Sequence, residues 1–367
     1  MADLFEYFPW RGDLSMTAAP FCDVDRLILS ELAYIDFDAD TPQPLPDLCQ
    51  KVLSKIEGKS NAEKKKILHL KQDEQLLREL STCKRFKNCL IGSCVSQFDP
   101  EIEQQFAAMT VILPDETAAC VYRGTDWSLI GWKEDINMAY CDVLPSQQSA
   151  VHYLRQAMER YETKFRVMGH SKGGNLAIFA SAFCGEPLQD RILEVTSLDG
   201  PGFGELVIRS DGYKNIADRV RTVLPKSSIV GALFTNTGKF AVIESKSSPI
   251  MQHIPYTWEI LGPNFVTVAE RDGTSQLIGT AFNDWIRGLE PERRKLFIDT
   301  VWSLLADTEI YDLDDLLNGR NTLTVIKNYN ALDESSKRMI GETLGKLRES
   351  VKESFGELIE QSKKSQA

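Results

Sequence analysis

The chain is expected to fold as an α/β protein, with a mostly parallel central sheet, helices on both faces and helical additions at each end. Three features predict this. Apolar, β-rich runs alternate with helix-forming stretches through the middle of the chain. Charged helical texture occupies the start and returns from about residue 275. Between them, Phe165 to Ala177 (FRVMGHSKGGNLA) passes from an apolar strand through a glycine-rich turn into an apolar helix. The expected division is a helical segment packed on the core over 1–88, the α/β core over 89–274 and a helical extension over 275–367.

Taken in order, Phe5, Tyr7, Phe8 and Trp10 form an aromatic arm expected to pack on the body. Leu27, Ile28, Leu32 and Ile35 then recur at helical spacing, with Asp23 placed to cap that helix. Thr41 to Pro46 is a rigid proline connector, and 47–87 reads as charged helices. Strand signals run over 90–95, 105–113 and 118–122, separated by Asp99-Pro100 and Pro114-Asp115, so these strands should pair antiparallel. An amphipathic helix over 146–162 leads into the strand before Gly169. Further strands fit 192–198, 220–224, 240–244 and 265–268. Helices are expected over 275–288, 291–306, 312–317 and 333–361, the last with an apolar stripe from Met339 to Leu358. That stripe suits docking on the body, or a contact between two copies of the chain.

The 367 residues are ample for a large core, and the net charge of -11 argues against nucleic acid and against electrostatic attachment to anionic lipid. Asp3 and Glu6 sit where a signal peptide would be basic, and no stretch approaches the roughly 18 apolar residues of a membrane span. The eight cysteines form no C-x-x-C pair, and the four histidines offer no ligand spacing. Reduced thiols, a cytoplasmic location and no metal or organic cofactor are the expectation.

Gly169-His170-Ser171-Lys172-Gly173 is a G-x-S-x-G pattern between strand and helix. A serine hydroxyl is a poor nucleophile until a base takes its proton, so it must stand clear of the strand. Glycines flanking the turn remove the side chains that would clash there, and the following helix aims unpaired N–H groups at the same place. The plain alternative is a glycine-rich turn, with or without a bound phosphate. Upstream lies a second motif, Val121-Tyr122-Arg123-Gly124-Thr125-Asp126, followed by Trp132-Lys133-Glu134-Asp135.

Together the two motifs resemble the class 3 lipase branch of the α/β-hydrolases, in which a strand ends in F-R-G-[TS] followed by W-x-x-D. The lysine after the serine and the asparagine after the glycines look more like a bacterial lipase-like family of α/β-hydrolases. The resemblance covers about residues 20 to 270. It implies Ser171 as nucleophile and the backbone N–H groups of Thr125 and Lys172 as oxyanion donors, with the Thr125 hydroxyl a possible addition. The α/β-hydrolase order of serine, acid, histidine points to His253 as base, since His170 turns away within the elbow and His69 and His152 lie upstream.

The acid departs from the class 3 pattern. Serines 227 and 228 stand where that branch places an aspartate, whereas Asp199 ends the preceding strand, as in pancreatic-lipase-like enzymes. Asp199 is the expected acid, Asp218 the runner-up, and a turn-forming role for Asp199 the plain alternative. Lys172, a cation at a helix N-terminus, opposes the helix dipole. It should therefore meet an internal carboxylate or an anionic group of the substrate. Trp127 and Trp132 are candidates to line the acyl pocket, or to be core.

The resulting expectation is a serine esterase or lipase-like hydrolase acting on an acyl ester, thioester or lipid. The alternatives are an acyltransferase and a hydrolase-fold protein that binds without turnover.

Overall fold

A computed structural model describes residues 2–126, 129–138, 141, 143–236, 238–248, 251–305, 319–346 and 348–349. Its strands in chain order are β1 (Gln43–Pro44), β2 (Leu90–Asp99), β3 (Gln104–Ile112), β4 (Ala118–Tyr122), β5 (Phe165–His170), β6 (Ile192–Leu198), β7 (Val220–Pro225), β8 (Lys239–Ile243), β9 (Ile260–Leu261), β10 (Asn264–Phe265) and β11 (Thr267–Val268). Among the described residues, nine of them form one sheet in the order β1-β2-β3-β4-β5-β6-β7-β8-β11, and β9 pairs with β10. The pairs from β1 through β4 are antiparallel; for β2–β3 and β3–β4 this follows from turns too short to carry a crossover. From β4 to β8 every pair is parallel. Helices Pro145–Arg160, Lys172–Phe183 and Asp211–Ile216 make the return crossings between β4 and β7. This is the α/β-hydrolase fold.

Period-2 alternation along the central strands feeds two separate cores. On one face Ala119, Val121, Met168, Leu198 and Val223 pack with Leu27 and Ile28 of helix Asp23–Leu32 and with the N-terminal helices. On the other, Cys120, Tyr122, Val167 and Val195 pack with Leu154 and Leu176 of the crossover helices. A third cluster joins Trp285, Phe297, Ile298, Met339 and Ile340 of the C-terminal helices, and the Trp285 indole donates to the Thr343 carbonyl at 2.9 Å. No helix among the described residues is long and apolar enough to cross a membrane.

Several local expectations change. The N-cap of helix Asp23–Leu32 is Cys22, whose N–H donates to the Asp25 carboxylate at 2.9 Å. Asp23 is drawn away by Arg221 and Arg26. The expected strand over 265–268 splits between β10 and β11. Helix Gly319–Ala331 was not foreseen. The expected helix over 312–317, and residues 351–361 of the last one, lie outside the described residues.

Candidate active site

The turn from β5 into helix Lys172–Phe183 holds Ser171 at φ 58° and ψ −133°. Non-glycine residues rarely adopt such backbone, at a cost of about 1–3 kcal/mol, and it persists only where the surroundings enforce it. They do so here by close approach. A Cβ added at Gly169 would lie 2.6 Å from the Tyr122 carbonyl oxygen, and one at Gly173 would overlap that same oxygen. The neighbouring strand therefore passes directly beneath the turn, and glycine is required on both sides of Ser171. The Ser171 N–H donates to the Leu198 carbonyl at 2.9 Å, tying the turn to β6.

Asp199 follows the last residue of β6, with φ 51° and its N–H on the Val223 carbonyl at 2.8 Å. Its side chain is fully buried. Asp199 Oδ2 accepts from Ser228 Oγ at 2.7 Å and lies 2.7 Å from His253 Nδ1. His253 Nε2 lies 2.9 Å from Ser171 Oγ. An ionised carboxylate can only accept, so Nδ1 carries the proton and Nε2 is left to accept from the serine hydroxyl. The structure thus brings Ser171, His253 and Asp199 into one hydrogen-bonded chain. Asp218 sits beside the N-terminal end of β7, at the opposite end of the parallel strands from Ser171.

The imidazole of His253 is held from behind. Its ring lies against that of His170, with centroids 4.6 Å apart, and His170 Nε2 donates to the His253 carbonyl at 2.9 Å. The other His170 nitrogen, Nδ1, therefore accepts from the Tyr34 hydroxyl at 3.0 Å. Burial, then the neighbouring His253, pushes His170 well below the usual imidazole range and keeps it neutral. Tyr34 stacks on His69 at 4.3 Å between centroids. Gln252 fixes the loop itself, accepting from the Ser227 N–H at 2.9 Å while its carbonyl receives the Trp258 indole at 2.7 Å. Tyr34, His170, Ser228 and Gln252 were not foreseen as supports. For His170 the glycine pattern located the residue but not the carbonyl it would meet.

These histidines tie stability to pH. Burial lowers His69 from 6.5 to about 4. A histidine kept neutral when folded is protonated first in the unfolded chain, so its contribution is complete above pH 6.5 and drains away as pH falls toward 4. Asp73, raised by burial to about 6, acts with the opposite sign, since the folded state keeps a proton that the unfolded state releases. Comparing wild type with His69→Gln isolates the histidine. The stability difference in favour of wild type should shrink between pH 6.5 and 4 in urea titrations.

At the end of β4, the Thr125 hydroxyl donates to Asp135 Oδ2 at 2.5 Å. That bond engages the hydroxyl with the protein and leaves the Thr125 backbone N–H as the donor to consider. Lys172 is the first residue of its helix, so its N–H has no acceptor one turn back. Of the two partners expected for the Lys172 side chain, an internal carboxylate or an anionic substrate group, the structure supplies the internal carboxylate. The lysine is buried, with Nζ donating to Glu134 Oε2 at 2.8 Å, the Gln105 carbonyl at 3.0 Å and Gln105 Oε1 at 3.3 Å. An ammonium has three donors, and all are engaged inside the protein. Trp127 lies outside the described residues. Trp132 belongs to helix Leu129–Asn137, but its side chain is likewise outside them.

No curated protein matches the chain. Among solved structures, the lipase of Rhizomucor miehei in its propeptide complex is 16% identical, with a TM-score of 0.39 over 65% of this chain and 79% of its own. The lipase of Rhizopus microsporus var. chinensis is 13% identical, with a TM-score of 0.37 over 63% and 81%. The model of the Mbeg1-like family matches residues 80–303, from β2 through the first C-terminal helices, and the chain belongs to that family.

Proposed function

We propose that the protein is a serine hydrolase that cleaves a carboxylic ester or thioester through an acyl-enzyme on Ser171. The observation that carries this reading is the unbroken chain from Ser171 Oγ to His253 Nε2 at 2.9 Å and from His253 Nδ1 to Asp199 Oδ2 at 2.7 Å. Ser171 Oγ attacks the acyl carbon while His253 Nε2 takes its proton, and the imidazolium returns that proton to the departing alcohol or thiol. Water then attacks the acyl-enzyme, giving its proton to His253, and Ser171 is regenerated as the acid leaves. Asp199 holds the imidazole in the required tautomer and stabilises its charged form. The N–H groups of Thr125 and Lys172 receive the oxyanion. The division at residues 89 and 275 belongs to the same proposal, with the α/β core carrying the reaction.

A fluorophosphonate probe should label wild-type protein and leave Ser171→Ala unlabelled. A series of p-nitrophenyl esters of graded chain length then defines the acyl preference. Labelling that survives in Ser171→Ala would refute the assignment of the nucleophile.

A further inference from the structure

We propose that the Lys172 side chain, through its ion pair with Glu134, is a positioning element that sets the two oxyanion donors in register with one another. The inference rests on the serine-hydrolase reading above. Lys172 supplies one donor through its own backbone. Its ammonium crosses to Glu134 on helix Leu129–Asn137, with Nζ to Oε2 at 2.8 Å and both side chains fully buried. Glu134 is itself fixed on two further sides, by the Gln105 N–H to Oε2 at 3.1 Å and the Ser146 N–H to Oε1 at 2.9 Å. One carboxylate thus joins the start of β3, the start of helix Pro145–Arg160 and the nucleophile turn.

The next residue of the same helix, Asp135, receives the hydroxyl of Thr125, whose backbone is the second donor, at 2.5 Å. A parallel connection runs through Gln105. Its Oε1 accepts from Lys172 Nζ at 3.3 Å and from the Asp126 N–H, immediately after Thr125, at 3.4 Å. Two routes therefore lead from one ammonium to the turn that carries Thr125. A buried ion pair is seldom the most stabilising way to fill such a volume. It does fix distance and direction in a way that apolar contact does not, and oxyanion donors act only when aimed at the developing charge.

The test compares wild type, the apolar double variant Lys172→Met/Glu134→Leu and the volume-preserving Glu134→Gln on an ester and its matched thionoester. Sulfur is larger and a poorer hydrogen-bond acceptor than oxygen, so the ester-to-thionoester rate ratio reports how well the donors are aimed. Each variant is first checked for near-UV dichroism and a cooperative thermal transition. For the folded double variant the expected result is a fall in kcat on the ester of about tenfold or more, with KM little changed and the rate ratio reduced toward that of uncatalysed hydrolysis. Should the double variant not fold, Glu134→Gln is held to the same loss of ratio. An unaltered ratio in a folded variant, with or without a lower kcat, overturns the proposal while leaving the hydrolase reading intact. A wild-type protein that neither cleaves esters nor reacts with a fluorophosphonate overturns that reading, and this inference with it.

Discussion

Asp199→Asn is expected to lower kcat by about 10⁴-fold while the protein stays folded, as loss of the carboxylate does in other serine hydrolases. The carboxylate now accepts from His253 Nδ1 at 2.7 Å and from Ser228 Oγ at 2.7 Å. An amide can turn its NH₂ toward Nδ1, which then becomes the acceptor, and Nε2 carries the proton. The face of the ring toward Ser171 would then donate instead of accepting. Folding should survive for two reasons. The volume is unchanged, and asparagine is among the residues that best tolerate positive φ, here 51° at position 199. Steady-state kinetics on a p-nitrophenyl ester, with thermal unfolding as the control, decides it. A loss below about tenfold would remove Asp199 from the triad and return it to the role of a turn former.

Lys172→Met by itself should cost about 3–5 kcal/mol of stability, a large share of what a domain possesses. It leaves the Glu134 carboxylate fully buried without its counter-ion. Two backbone donors, the N–H groups of Gln105 and Ser146, remain on that carboxylate. They place the expected loss toward the lower end of the range. Adding Glu134→Leu removes the stranded charge and should recover most of the loss, since a well-packed apolar pair is often no worse than a buried ion pair. Urea denaturation of both variants measures the difference. Equal stability of the single and double variants would mean that the carboxylate is neutralised in some other way.

These expectations differ in how far the sequence could support them. The strand, turn and helix around Ser171 were legible because each depends on neighbouring residues: apolar alternation, glycines at 169 and 173, and a helix-forming run after them. The antiparallel start of the sheet was legible because its connections are short. Of the candidate site residues, the structure brings Ser171, His253 and Asp199 within hydrogen-bond reach of one another. His253 and Asp199 are indicated in the sequence by the order and spacing of α/β-hydrolases, which carry residue type but no distances.

Other features depended on residues far apart in the chain. Asp23 has the composition of a helix cap, yet Arg221 pulls its carboxylate away and Asp25 takes the Cys22 N–H. Lys172 was evidently a cation in an unfavourable place. Two destinations were chemically equal on paper, and Glu134, 38 residues away, proved to be the partner. His170 and Tyr34, 136 residues apart, gave no sign of meeting behind the imidazole of His253.

The sequence by itself determined a strand–serine–helix elbow, the alternation that builds a two-faced sheet, and a short set of groups able to do nucleophilic chemistry. All of these follow from local stereochemistry and residue type. Only the tertiary structure decided which carboxylate meets which cation and which histidine faces the serine and which supports it from behind. Burial makes each such pairing exclusive, because a polar group withdrawn from water must take the partner that the packing leaves within reach.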